Sequence, residues 1–305
     1  LTLAIADPVE QGREPSLALG CKGDYMRELC VITGGAGGIG LAAAKIVGRD
    51  RLVVISDVSA SGLQAASAEL QGLGIGCVTV HCDVTDRSSV AELIATSTSL
   101  GSVTSVIHTA GVSPSMGDAE HILRINALGT AHVNEGFLPV AREGFAIVNV
   151  ASMAAHMFPR LLIPKRHFKD ALHNEDRFMT KATSACNIVP TRVRPGLAYS
   201  ISKNFVTWYS ASQAARFGSR GARIVSVSPG SINTEMGRLE ERAGSEAMVK
   251  LAALKRFGKP EEVAEVLAFC ASTKAGYLTG ADIACDGGVL AAFTLKNMIP
   301  LGRNT

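Results

Sequence analysis

The stretch Thr33-Gly34-Gly35-Ala36-Gly37-Gly38-Ile39-Gly40 decides the fold. It follows the apolar run Leu29–Thr33 and opens an apolar helical pattern, Ile39–Val47. Glycines let the backbone turn sharply and approach a bound group with no Cβ in the way. A helix that starts there offers unpaired N–H groups and the positive end of its dipole to an anion. A strand before and a helix after are the context that separates a phosphate-binding loop from a tight structural turn. Thr33, Gly34, Gly38, Ile39 and Gly40 are therefore candidates to cradle a dinucleotide pyrophosphate.

Outward from this loop the same alternation repeats. Short Val- and Ile-rich runs at Leu52–Asp57, Cys77–Cys82, Val103–His108, Ala146–Ala151, Arg223–Ser228 and Ala281–Cys285 read as strands. Helical patterns at Leu63–Leu70, Val90–Thr96, Glu120–Ala141, Tyr199–Phe217 and Glu261–Ala271 lie between them. Strand, helix, strand implies parallel strands with right-handed crossovers. Near-continuous apolar strands imply helices on both faces. The expectation is an α/β chain: a single Rossmann-type doubly wound parallel sheet, with ligands at the carboxyl ends of its strands.

The 305 residues carry a net charge of only +3, which argues against a dedicated nucleic-acid binder. No run of eighteen apolar residues marks a membrane span, and residues 1–28 lack the pattern of a secretory signal. Those 28 residues read as a mobile extension, with Met26 as a candidate alternative start; residues 290–305 read as a tail. Seven cysteines without a CxxC pair read as free thiols of a reducing cytoplasm, with no metal site. Residues 156–197 break the rhythm between a strand and a helix. They carry a net +5, leaving −2 for the rest. Lys165, Arg166, His167 and Lys169 there either attract an acidic group on the substrate or belong to a solvated surface loop.

Asp57 ends the second strand, 17 residues after Gly40. An acid there accepts hydrogen bonds from ribose hydroxyls and repels a 2′-phosphate, which favours NAD over NADP. It could instead cap the helix that begins near Ser59. After the third strand, Asp83 is placed to accept from an adenine amino group and the Val84 amide to donate to a ring nitrogen, whereas Asp86 reads as a helix cap. Ala110 and Gly111 offer small residues against the cofactor, and His108 beside them reads as structural.

Tyr199 and Lys203 are four apart in a helical segment and so share one face. A phenol has a reference pKa of about 10. A nearby ammonium stabilises the phenolate and tunes the group for proton transfer near neutral pH. Ser152, just past a strand end, can hydrogen-bond a substrate oxygen as charge develops on it; a turn serine is the plainer reading. Asn126 sits inside an apolar helical pattern, where Asn is poorly suited.

Taken in order, these motifs resemble the classical short-chain dehydrogenase/reductase family over residues 29–289, apart from the insertion at 156–197. Thr33-Gly34-x-x-x-Gly38-x-Gly40, Ala110-Gly111, Asn126, Ser152, Tyr199-x-x-x-Lys203 and Asp286-Gly287-Gly288 all match its pattern. His108 and Thr109 stand where two Asn are usual, a departure that touches a structural hydrogen bond of the central sheet. The resemblance implies that Asn126 holds a water linking Lys203 to solvent. It implies that Pro229, Gly230, Ile232 and Thr234 hold the nicotinamide, and that Lys203 and Tyr199 also contact the cofactor. It further implies a substrate lid over 233–254, with Met236, Leu239, Met248 and Leu251 as pocket candidates, although a surface helix pair fits that segment equally well. The family commonly packs the helices at Glu120–Ala141 and Tyr199–Phe217 against a second subunit, so a homo-oligomer (tetramer or dimer) is expected, and an insertion just before Tyr199 could obstruct or remodel that contact. The 47 positions from Ser152 to Tyr199, and Phe137-Leu138-Pro139, give a weaker likeness to the bacterial 3α-hydroxysteroid dehydrogenase/carbonyl reductase branch.

The expected activity is NAD-dependent interconversion of a secondary alcohol and a ketone or aldehyde, on a substrate that could be hydroxysteroid-like. The alternatives are a catalytically idle NAD(H)-binding regulator or scaffold, and a non-redox epimerase or dehydratase. The regulator could keep the glycine loop without the catalytic set, and the non-redox members usually carry a larger C-terminal domain.

Overall fold

The computed structural model describes residues 28–159, 161, 163–240 and 246–292. The expected N-terminal extension, but for Glu28, and the tail from 293 onward lie outside the described residues. So does the side chain of Leu239.

Seven strands form one sheet: β1 (Glu28–Thr33), β2 (Leu52–Asp57), β3 (Cys77–His81), β4 (Ser102–His108), β5 (Ala146–Val150), β6 (Arg223–Pro229) and β7 (Asp282–Cys285). Their order is β3-β2-β1-β4-β5-β6-β7, and every pair is parallel. Each strand lies within one residue of its sequence reading. The helices are α1 (Gly38–Val47), α2 (Ala60–Gly72), α3 (Arg87–Leu100), α4 (Ala119–Leu123), α5 (Gly129–Phe137), α6 (Ala154–Met157), α7 (Glu175–Cys186), α8 (Arg194–Ser212), α9 (Ala214–Gly218), α10 (Glu235–Glu240), α11 (Glu246–Leu251), α12 (Pro260–Ala271) and α13 (Val289–Ala292). Among the described residues no helix is long and apolar enough to cross a membrane.

Alternate residues of β1 serve opposite faces, as the strand period requires. Leu29 and Val31 join a core under α3, α5 and α8, while Cys30 and Ile32 join a second core under α1, α2 and α12. The chain leaves β1 toward β2 and returns across it to β4, so the order reverses beside β1. That switch point is where an open α/β sheet leaves a crevice at its carboxyl edge.

Three sequence readings need correction. The pattern at Glu120–Ala141 is not one regular helix: a π turn at Arg124–Leu128 separates α4 from α5, and a 3-10 turn at Leu138–Val140 ends it at Pro139. The helix carrying Tyr199 begins five residues earlier, at Arg194, because Pro195 occupies its first turn, where a missing N–H is harmless. The third concerns the insertion, which is not a solvated loop. It folds into a 3-10 segment at Lys165–Leu172 and the helix α7, capped by Asn174. Phe168, Phe178, Met179, Ala182 and Cys186 are buried. Phe168 and Phe178 each place their ring 5.4 Å from Phe205 of α8. The apolar spacing within 178–186 was present in the sequence, but four prolines and eight basic residues masked it.

Candidate active site

Every candidate cofactor residue lies at the carboxyl edge of the sheet. The glycine loop follows β1, Asp57 ends β2, Asp83 and Val84 follow β3, Ala110 and Gly111 follow β4, Ser152 follows β5, and Pro229 ends β6 with Gly230 after it.

The glycine loop is shaped by close approach. A Cβ on Gly40 would sit 2.2 Å from the Gly34 carbonyl oxygen and 2.6 Å from Thr109 Oγ1. Gly34 and Gly38 take left-handed φ values of +68° and +53°. A Cβ on Gly37 would meet nothing within 4 Å, and one on Gly38 would point at Thr234, 3.4 Å from its Cγ2. The loop therefore borders a gap that Thr234 closes from the other side. No side chain caps α1, whereas Ser59 caps α2 and Asp86 caps α3. The first-turn N–H groups of α1 thus have no side-chain acceptor beside that gap, which fits a bound pyrophosphate.

Asp57 accepts from the Ala36 amide (3.3 Å) and the Ser59 amide (3.1 Å). Ser59 itself is the cap of α2, so Asp57 is not spent in that role. Asp83 Oδ1 accepts from the amide and the hydroxyl of Thr85, both at 2.8 Å. Ile232 bridges to Gly258, and the Thr234 hydroxyl accepts from the Gly237 amide at 2.9 Å. The segment 233–254 contains α10, which lies against the turn Pro114–Met116, and α11.

The chemical residues converge from three elements. Lys203 is buried in α8 and donates to the Val150 carbonyl at the end of β5 (2.9 Å). Its ammonium lies 5.8 Å from the centre of the Tyr199 ring. Burial pushes the Lys203 pKa down to about 8. Ser152, two residues beyond Val150, is buried and accepts from the Ala154 amide at 3.2 Å. Asn126 lies in the π turn. Its side chain exchanges hydrogen bonds with both the amide (2.8 Å) and the carbonyl (2.9 Å) of Val112, and donates to Ser202 Oγ (3.3 Å). Gly111 makes room for this group, since a Cβ there would sit 3.0 Å from Asn126 Oδ1 and 3.5 Å from Lys203 Nζ.

Sequence reasoning gave His108 no partners and missed Thr33, Thr109, Thr130 and Ser202 as hydrogen-bonding side chains. The Thr130 hydroxyl donates to the Asn126 carbonyl (2.8 Å) and accepts from His108 Nε2–H (3.0 Å), which leaves His108 Nδ1 to accept from the Thr33 hydroxyl (2.7 Å). Thr109 Oγ1 donates to the Thr33 carbonyl at 2.7 Å. His108 and Thr109 thus restore, in other chemistry, the ties across β1 and β4. Burial, and secondarily Lys203, push the His108 pKa down to about 3. The only sequence signal was polar residues at the end of an otherwise apolar strand.

Residues 28–163 match the family model for short chain dehydrogenases, and residues 166–290 match one described as enoyl-(acyl carrier protein) reductase. The chain is 32% identical over 278 residues to a short-chain dehydrogenase/reductase of Alternaria brassicicola, covering 87% of this chain and 97% of that one. It is 27% identical over 272 residues to a 3-alpha-hydroxysteroid dehydrogenase/carbonyl reductase of Comamonas testosteroni, covering 86% and 96%. The solved structure of levodione reductase superposes with a TM-score of 0.69 at 23% identity, covering 88% of this chain and all (100%) of that one.

Proposed function

Because the chain belongs to the short-chain dehydrogenase/reductase family, whose members oxidise and reduce alcohol and carbonyl groups with a nicotinamide cofactor, we propose that it is an NAD-dependent dehydrogenase interconverting a secondary alcohol and a ketone or aldehyde. The observation that carries this reading is the buried Lys203, held by the Val150 carbonyl beside the Tyr199 ring and two residues before Ser152. The glycine loop with Asp57, Asp83, Val84, Ala110 and Gly111 would hold the adenosine and pyrophosphate, and Pro229, Gly230, Ile232 and Thr234 the carboxamide end.

When bound, the nicotinamide ring supplies or accepts the hydride. The Tyr199 phenol gives its proton to the carbonyl oxygen in reduction and takes it from the alcohol in oxidation. Lys203 stabilises the phenolate and would hold the nicotinamide ribose. The Ser152 hydroxyl donates to the same substrate oxygen, where negative charge grows. Asn126 supports proton exchange between Lys203 and solvent. Tyr199→Phe is expected to abolish turnover while NAD still binds; near-full activity in that variant would refute the role. The idle-regulator reading predicts NAD binding without turnover on any alcohol.

A hydroxysteroid heads the substrate panel, on the strength of the Comamonas relative's name and the long segment before Tyr199. We place the protein in the cytoplasm and read it as a homo-oligomer. Since α7 packs against α4 and α8 within one chain, the assembly would use other faces than the α5–α8 surface. A solution mass well above 31.8 kDa is expected; a monomeric mass would overturn this.

A further inference from the structure

The insertion reaches the cofactor side of the sheet through one carboxylate. Glu175, the first residue of α7, meets three nitrogens of two other elements at a single oxygen. Arg87 of α3 donates through Nε (3.0 Å) and Nη2 (2.5 Å), and His132 of α5 lies with Nε2 at 3.1 Å. Burial opposes ionisation of Glu175, but the Arg87 and His132 contacts outweigh it and hold the carboxyl below its ordinary value.

His132 passes this anchorage on. Its imidazole is 3% exposed, and Nδ1 lies 3.1 Å from the Val84 carbonyl. A carbonyl can only accept, so Nδ1 carries a proton and donates to it. Val84 is held from the same helix by a second contact. Its side chain fills the space over Gly129, where a Cβ would sit 2.7 Å from Val84 Cγ2. Arg87, the other donor, directly follows Asp86, the cap of α3. The turn 83–86 is therefore gripped at both ends by groups that meet on Glu175.

We propose that Glu175 is a positioning residue for the adenine half of the cofactor, fixing the turn 83–86 through His132 and Arg87. This rests on the assignment of Asp83 and Val84 to adenine under the proposed function. His132 is the buried member of this network, while the Arg87 and Glu175 side chains stay 57% and 34% exposed, so the imidazole is the group whose lost contact is costly. Removing the carboxylate leaves His132 a weaker partner and frees the Val84 peptide to rotate.

The test is calorimetric binding of ADP-ribose to the wild type, Glu175→Gln, His132→Asn and the double variant, with cofactor kinetics alongside. ADP-ribose reads the adenine half without the nicotinamide chemistry. Glu175→Gln keeps the shape of the side chain, and His132→Asn keeps a donor near the Val84 carbonyl. The expected result is about tenfold weaker ADP-ribose binding in each single variant. The double variant should be no weaker than either single, because the two residues act as one unit. The KM for NAD should rise by a similar factor while kcat at saturating cofactor stays within about twofold. Glu175→Gln binding ADP-ribose as the wild type does, fully additive losses in the double variant, or an equal fall in kcat would each overturn the proposal. A wild type that binds no ADP-ribose would overturn the adenine assignment itself, and this inference with it.

Discussion

Lys203 and Val150 are joined by a hydrogen bond of 2.9 Å from the buried ammonium to the main-chain carbonyl. That bond fastens α8 to the carboxyl end of β5. Tyr199 lies one helical turn before Lys203 and Ser152 two residues after Val150, so one contact sets the spacing of the proposed proton donor and the oxyanion partner. A sheet end and a packed helix are rigid supports, which is what pre-organised catalysis needs.

Burying that ammonium works against stability. The Lys203 pKa falls from 10.5 to about 8 on folding. Stability tied to this group is therefore fully present above pH 10.5, where it is neutral in both states, and is lost as pH falls through about 8. At about 1.4 kcal/mol per unit the penalty at neutral pH is on the order of 3 kcal/mol, offset in part by the bond to Val150, worth about 2. Lys203→Met is expected to unfold at equal or higher urea concentration than the wild type at pH 7, with a smaller advantage at pH 10, while kcat falls by about 10²-fold or more. A clearly less stable variant at pH 7 would show that the ammonium is a structural support.

His108 gives the opposite end of the pH range. Its pKa drops from 6.5 to about 3 in the folded chain because burial excludes the charged form. The stability it contributes is present above pH 6.5 and fades as pH falls toward 3. At pH 5 the unfolded chain binds this proton and the folded chain does not, which costs the fold about 2 kcal/mol. His108→Asn, the residue usual in the family at this place, is expected to lose less stability than the wild type between pH 7 and pH 5. Parallel denaturation curves for the two proteins at both pH values would refute this.

The sequence made the sheet legible because its two periods are clean. Strands buried on both faces read as unbroken apolar runs, and the glycine loop marks which strand comes first. The candidate site residues were chosen by spacing, which says nothing of their partners. Nothing local in the sequence joins Asn126 to Val112, or His108 to Thr130, since those bonds depend on how α5 leans on β4. The π turn was equally hidden. An Asn amid Ile122, Leu123, Ile125 and Leu128 signals an irregular helix without saying which kind. The insertion was misread because composition outweighed period: its charges lie on the exposed sides of helices whose other sides are aromatic.

The packing of that insertion is open to direct measurement. Phe178 is fully buried, with its ring 6.5 Å from Phe168 and 5.4 Å from Phe205. Truncating a packed Phe costs about 3–5 kcal/mol, whereas a change on a solvated loop stays within about 0.5. Phe178→Ala is expected to destabilise the protein by roughly 3 kcal/mol in urea denaturation. A shift below about 0.5 kcal/mol would mean that the segment is not part of the cooperative fold.

The proposed preference for NAD rests on Asp57. Its carboxylate is tied to the Ala36 amide of the glycine loop and to the Ser59 amide at the start of α2. It is thereby held at the end of β2, where the ribose hydroxyls of the adenosine would lie. A 2′-phosphate there brings about −1.5 to −2 charge against a fixed carboxylate, a juxtaposition worth several kcal/mol. The wild type is expected to prefer NAD over NADP by about 10²-fold or more in kcat/KM. Asp57→Ala should act on both cofactors, weakening NAD through lost ribose hydrogen bonds and improving NADP through lost repulsion. The preference should therefore narrow from both sides. Steady-state kinetics with the two cofactors on one alcohol substrate decides the matter. Equal use of NADP by the wild type, or a preference that survives Asp57→Ala unchanged, would place the selection elsewhere than on this residue.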